Sequence, residues 1–468
     1  MRKYSLLIGL LFLNLMLIAQ SKKPNIVLIL ADDLGYGDLS AYGQEKFSTP
    51  NIDALAKKGM LFTDFYAGAP VCAPSRSALM TGQHTGHTYI RGNKEIVPEG
   101  QEPLGQNIET FAMALKNAGY KTGAFGKWGL GMVGTTGDPL EKGFDEFYGY
   151  NCQRQSHRYY PTHLWDNEER IDLKGNENLM KTTTYAPDLI HQKSLTFIHN
   201  YKDGPIFLFI PTVLPHAELI VPEDEIFKEF ENKFEEKPFI GSPYGPNAGS
   251  GYTSQAKPRA TFAAMVTRMD QQVADVVSAL EEEGMLENTI IIITSDNGSH
   301  REGGADPDFF KSSGPFRGNK RDVYEGGVRT PFIVHWPAKV KANTQSKHIG
   351  AFWDVAPTLL EVAQAKPLKQ TDGISFLPTL LGKKGQKEHD YLYWEFHEQG
   401  GKQGLRIGDY KAIRLNAKGN PDAEIAIYHL PTDVAEQNNI AAKHPELVKK
   451  AKKIMAEART ESEIFPFQ

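Results

Sequence analysis

Asn25-Ile26-Val27-Leu28-Ile29-Leu30-Ala31-Asp32-Asp33 is the stretch that decides the fold. Its unbroken apolar run is what a strand covered on both faces requires, since an amphipathic edge strand would alternate. Similar runs lie at Ile206 to Ile210, Thr289 to Thr294 and Pro331 to Trp336. Helical patterns separate them. Asn107 is read as the cap of a helix running to Asn117 and stopped by Gly119. Pro258 to Glu283 is amphipathic, with Val266, Met269, Val273, Val276, Val277 and Leu280 along one side and Gly284 at its end. Strands alternating with helices predict an α/β fold: a large, mostly parallel sheet sandwiched by helices.

Beyond about Leu381 the pattern changes. Tyr391 to Phe396, Gly404 to Leu415 and Ile425 to Leu430 read as short strands, and Pro445 to Glu461 as a closing, lysine-rich helix. The expected division is a main domain over 21–381 and a smaller C-terminal α+β subdomain over 382–468 containing a short antiparallel sheet. Glu223 to Lys237 reads as a solvated surface helix. Gly241 to Gly251, rich in Gly, Pro and Ser, reads as a loop with the option of a lid.

At 468 residues the chain can bury a large core. Its net charge of −5 gives no reason to expect nucleic acid or an anionic membrane as partner, so an anionic substrate needs a local cationic site. Residues 1–20 read as a secretory signal: Arg2 and Lys3, then the apolar Leu6 to Ile18, then Ala19 and Gln20. That run is short for a membrane span, which takes about 20 residues, so cleavage and a periplasmic or secreted product are expected without stable membrane insertion. With only two cysteines, Cys72 and Cys152, at most one disulfide is available.

Two of the apolar runs end in acids, Asp32-Asp33 and Asp296-Asn297. In an open α/β sheet the carboxyl ends of strands face the ligand crevice. Carboxylates and an amide oxygen gathered there suit a hard divalent cation such as Ca²⁺ or Mg²⁺, and the histidine pattern of a zinc site is missing from these strand ends. The bland alternative is that each acid caps the turn that follows it. Cys72 stands between Pro70 and Pro74, in Cys72-Ala73-Pro74-Ser75-Arg76-Ser77-Ala78-Leu79-Met80-Thr81-Gly82.

This segment resembles the sulfatase signature Cys-x-Pro-Ser-Arg-x-x-x-Leu-x-Gly, with Met80 in the leucine position. Four more segments resemble family landmarks in order: Lys23 to Ile29 with Asp32-Asp33-Leu34-Gly35-Tyr36-Gly37; Thr49-Pro50-Asn51-Ile52-Asp53; Gly123 to Trp128; and Gly318-Asn319-Lys320 with Tyr324 to Pro331. A terminal motif, Tyr428-His429-Leu430 with Asp433 and Glu436 to Asn439, completes the set. The chain is similar to type I sulfatases of the alkaline phosphatase superfamily.

The resemblance implies that a host formylglycine-generating enzyme oxidises Cys72 to formylglycine, and that Asp32, Asp33, Asp296 and Asn297 bind one Ca²⁺ together with residue 72. Mg²⁺ is the less favoured ion. A hydrated aldehyde carries two hydroxyls on one carbon: one attacks sulfur, and loss of the proton of the other expels sulfate. By the same resemblance Arg76, Lys127 and Lys320 neutralise the sulfate oxygens, and His216 is the general acid for the leaving oxygen. One position departs from the family. A histidine is common two residues after the Lys127 position, and here it is Gly129, leaving His157, His300 or solvent to accept the second proton.

Tyr148 to Trp165 mixes aromatics with His157, Arg158, Tyr159 and His163, which suits a sugar ring and equally suits packing on the main sheet. The expected partner is a sulfated carbohydrate, with galactose or N-acetylgalactosamine 4-sulfate as the specific expectation and His157, Arg158, Tyr159 and His300 as candidate contacts. Two competing readings are a phosphate or phosphonate ester hydrolase of the same superfamily, and an inactive binder of sulfated glycans.

Overall fold

The computed structural model describes residues 23–177, 179, 182–242 and 251–467. The expected export signal at 1–20 and the interior of the Gly241 to Gly251 loop lie outside the described residues.

Among the described residues the main sheet has ten strands. In chain order they are β1 Asn25–Ala31, β2 Met60–Phe62, β3 Lys121–Lys127, β4 Glu146–Tyr150, β5 His163–Asp166, β6 Glu169–Asp172, β7 Ile206–Pro211, β8 Thr289–Ser295, β9 Phe332–His335 and β10 Thr344–Ser346. Their order across the sheet is β10-β2-β9-β8-β1-β7-β3-β4-β5-β6. The five central strands, β8-β1-β7-β3-β4, are all parallel. Antiparallel pairs occur only outside them, at β8-β9, β9-β2, β4-β5 and β5-β6.

The apolar run of β1 divides between two cores. Val27 and Ile29 join one with Ile52, Leu55, Met265, Val266 and Met269; Ile26, Leu28 and Leu30 join the other with Leu79, Met80, Phe111, Leu115 and Leu359. Helices therefore cover both faces. On the first lie α1 Pro50–Lys58, α4 Ala186–Asn200 and α5 Pro258–Glu282; on the second lie α2 Cys72–Thr81, α3 Phe111–Asn117 and α6 Val355–Val362. Helix α3 starts later than its sequence suggests. Thr110, not Asn107, is the cap, and its hydroxyl accepts from Met113 N–H at 3.2 Å. The surface helix is a short element, Glu225–Phe230, capped by Asp224 and anchored by buried Phe230.

A four-stranded antiparallel sheet follows: β11 Leu392–Phe396, β12 Lys402–Ile407, β13 Tyr410–Leu415 and β14 Ile425–His429. The stretch read as one strand from Gly404 is a hairpin, turned at Gly408 with φ +55°. One side of this sheet packs Leu392, Trp394 and Ile413 against Tyr66, Val71, Ala78 and Val328 behind α2. The closing helix α7 Pro445–Glu457 covers the other side through Ala451 and Met455. No helix among the described residues is long and apolar enough to cross a membrane.

Candidate active site

All five parallel strands deliver a polar residue to one end of the sheet. From β8 come Asp296 and Asn297, from β1 Asp32 and Asp33, from the loop after β7 His216, from β3 Lys127, and from the segment after β4 Gln153 and His157. Registry sets the first pair side by side: Ala31 is level with Ser295, and Asp296 N–H donates to Ala31 O at 3.0 Å. Asp33 holds a left-handed backbone, φ +64°, a conformation costly for a residue with a side chain and found disproportionately at functional sites.

Cys72 is the first residue of α2, where free N–H groups and the helix dipole favour negative charge. Its Sγ lies 3.2 Å from Asp32 Oδ1 and 3.8 Å from Asp33 Oδ1. One turn on, Arg76 points the same way. Its Nε and a terminal nitrogen grip Asp296 Oδ2 at 3.0 and 2.8 Å, and its other terminal nitrogen bonds Lys127 O. The Lys127 ammonium donates to Asp32 Oδ2 at 2.6 Å. Lys320 donates to Asp33 Oδ2 at 2.7 Å, to His216 Nε2 at 2.9 Å and to Glu302 Oε2 at 3.3 Å.

Burial raises the Asp32 carboxyl, but Lys127, Arg76 and Lys320 together hold it well below the usual carboxylate range. Asp296 moves the other way, pushed up by burial and by the charge of Asp32 against the pull of Arg76. Burial, with Asp296 and Asp32 adding, pushes the Cys72 thiol well above its ordinary value. Burial and Lys320 keep the His216 imidazole neutral, while Lys320, against its own burial, is held charged by Asp33 and Glu302.

The donor set fits a hard cation. Asp32, Asp33, Cys72 and His216 each place a ligand atom within 4.8 Å of the others. Asn297 is fully buried; its Nδ2 donates to Asp33 Oδ1 at 2.6 Å, and its Oδ1 has no hydrogen-bond partner among the described residues. A buried amide oxygen left unpaired, on a side chain bonded to Asp33, is accounted for by an ion that it would ligate.

The sulfatase family model matches residues 24–365, and the model for the C-terminal region of N-sulphoglucosamine sulphohydrolase matches 316–461. The chain belongs to the sulfatase family. It is 30% identical to N-acetylgalactosamine-6-O-sulfatase of Bacteroides thetaiotaomicron, with 94% of each chain covered. It is 31% identical to N-acetylgalactosamine-6-sulfatase of Rattus norvegicus, over 79% of this chain and 68% of that one. The crystal structure of Ps i-CgsB in complex with k-i-k-neocarrahexaose matches with TM-score 0.77 at 27% identity, covering 93% of both chains. The protein is thus a sulfuric ester hydrolase of the alkaline phosphatase superfamily.

In this sulfatase the four acidic and amide residues, Cys72, Arg76, Lys127, His216 and Lys320 all converge as one group. The four candidates for sugar contact do not. His157 lines the pocket above Cys72 and stacks on His216, ring centroids 4.7 Å apart. Arg158 turns away to an ion pair with buried Glu218 at 2.8 Å. The Tyr159 hydroxyl bonds the carbonyl oxygens of Val213 and His216, so it braces the loop from behind. His300 backs His216 on its other side and faces Pro215 O at 3.2 Å.

Sequence reasoning missed four neighbours of the sulfatase pocket. Glu302 bonds both Lys320 and Arg321, and Tyr252 packs its ring against His157 and His216. Asn93 and Gln153 line the same pocket as Cys72 and Lys320. Gln153 lay within the aromatic segment singled out for sugar contact, but an amide among rings and histidines carries no spacing signal of its own.

Proposed function

We propose that this sulfatase removes a sulfate ester from a sugar, and that its substrate class is a 6-sulfated N-acetylgalactosamine or galactose unit of a glycan. The observation that carries the catalytic part is the ring of charge around Cys72: two aspartates in front of it and Arg76, Lys127 and Lys320 fixed on those carboxylates and on Asp296. The sugar follows from the relatives. Those in rat and in Bacteroides are both named for N-acetylgalactosamine 6-sulfate, which favours the 6-position over the 4-position expected from the sequence.

Asp32, Asp33, Asp296 and Asn297 would hold one Ca²⁺, which when bound supplies positive charge to the sulfate oxygens and to the hydroxyl at residue 72. Formylglycine at position 72, made by the host's formylglycine-generating enzyme, supplies that hydroxyl. The protein's own groups do the rest. Arg76 fixes Asp296 and the end of β3. Lys127 and Lys320 aim ammonium donors at the developing charge on sulfate. Lys320 and His216 share a hydrogen bond, so the pair acts together in giving the leaving sugar oxygen its proton. His157, neutral because burial and the cations around it disfavour its charged form, is the proton acceptor for release. The basic and apolar opening of the chain supports export to the periplasm or medium.

The test is sulfate release from N-acetylgalactosamine and galactose bearing sulfate at carbon 4 or carbon 6, with formylglycine at residue 72 verified by mass spectrometry. Release from the 6-sulfated sugars is expected. A clear preference for aryl phosphate over aryl sulfate overturns the reading.

A further inference from the structure

Gly129 and Gln153 contend for one volume. Gly129 has φ +81°, and a Cβ there would meet Gln153 Nε2 at 2.7 Å and Arg76 Cδ at 3.3 Å. The space that a side chain at 129 would enter is therefore filled by the Gln153 carboxamide, beside the stem of the arginine that grips Asp296. Gln153 is 7% exposed and lines the pocket with Cys72, His157 and Lys320. Its Nε2 is buried and has no hydrogen-bond partner among the described residues.

The backbone around this amide is fixed. Gln153 N–H donates to Gln101 Oε1 at 2.9 Å, and its carbonyl accepts from Ser156 Oγ at 2.7 Å. A buried donor held on a fixed backbone and left unpaired is costly unless a ligand completes it. The neighbouring groups say which kind of ligand. Arg76, held on Asp296, Lys320, held on Asp33, and the first turn of α2 set further donors on this side of the pocket, which suits a ligand bearing acceptor oxygens.

We propose that Gln153 is a sulfate-binding residue of this enzyme, its Nε2 donating a hydrogen bond to an oxygen of the sulfuryl group seated over residue 72. The inference rests on the sulfatase reading of this pocket. Gly129 is then a matched partner, its missing side chain being what admits the amide. A carboxamide, unlike an imidazole, neither gains nor loses a proton over the working pH range. Gln153 therefore binds and orients and transfers no proton, which leaves release to another group.

Gln153→Glu keeps the shape and reverses the electrostatics; Gln153→Met keeps the bulk and removes the donor; Gln153→Asn keeps the amide and withdraws it. Each is compared with wild type for formylglycine content, melting temperature, kcat/KM on a sulfated sugar and inhibition by inorganic sulfate. Removing one fixed donor from a developing oxyanion lowers rate by about 10²–10³-fold, and that loss in kcat/KM is expected in all three. The inhibition constant for sulfate is expected to rise at least about tenfold at unchanged melting temperature, a change that a purely structural residue does not produce. Variants with wild-type sulfate inhibition and kcat/KM, beside a wild type that turns over, overturn the role of Gln153. An aldehyde-bearing wild type that releases no sulfate from any sulfated sugar overturns the functional reading instead.

Discussion

The Lys320 ammonium stands 2.9 Å from His216 Nε2, and both are within 3.2 Å of Asp33 Oδ2. Burial and the cation together suppress the charge of the imidazole, and the hydrogen bond makes the two side chains one pair.

That relationship predicts a dependence on the leaving group. His216→Ala should lower kcat/KM for a sugar sulfate by about 10²–10⁴-fold, because an alkoxide leaves poorly without a proton. Nitrophenyl sulfate, whose phenolate leaves unaided, should lose far less. Equal losses on the two substrates would remove His216 from proton transfer.

Chelation should act on stability as well as on rate. EGTA treatment is expected to abolish turnover and lower Tm, with Ca²⁺ restoring both. A ligand at about 100 times its Kd adds about 2.7 kcal/mol to the folded state. Asn297→Ala, which removes the unpaired Oδ1, should reduce the Ca²⁺-dependent rise in Tm. Activity and Tm indifferent to both treatments would rule out a metal held by this set.

A buried ion cluster ties the small sheet to the main domain. Lys411 on β13 donates to Glu325 Oε1 at 2.8 Å, while Arg329 and Tyr66 each bond Glu325 Oε2 at 2.7 Å. Lys411 and Glu325 are both fully buried. Leaving one charge of such a pair wholly unpaired costs about 3–5 kcal/mol, and with Arg329 still on Glu325 the loss here falls below that. Lys411→Met should therefore lower the denaturation midpoint markedly, and the double variant with Glu325→Gln should recover part of the loss.

Glu436 predicts a pH effect in the same region. Its Oε2 accepts from Glu325 N–H at 2.8 Å, and burial pushes its carboxyl from 4.5 up to about 8, with Glu325 adding and Lys411 opposing. A raised carboxyl keeps a proton in the fold that the unfolded chain has released. Its contribution is therefore complete below about pH 4.5 and fades as pH climbs to about 8. Glu436→Gln should gain on wild type steadily across that window when Tm is followed against pH. Parallel curves would show that Glu436 is ionised throughout.

Much of this was legible in the chain. The apolar runs gave β1, β7, β8 and β9 to within a residue or two, because a strand buried on both faces has no room for polar interruption. The doublets Asp32-Asp33 and Asp296-Asn297 were readable as one site because parallel strands must end on the same side. The edges were less legible. Strands such as β5 and β6 are short and half-polar, and Gly408 hid a hairpin inside what read as one strand.

What the sequence determined by itself is the inventory: a metal-type donor set at two strand ends, a constrained Cys72, three cations and a glycine at 129 where a histidine is common. Only the tertiary structure decided who meets whom. Arg158, Tyr159 and His300 are chemically fit to touch a sugar, yet an ion pair, two carbonyls and a ring stack already claim them. Gln153 carried no motif, yet the turn after β4 carries it across 24 residues of sequence to the space beside Gly129. Contacts of that range depend on strand order and loop paths, which local propensity does not encode.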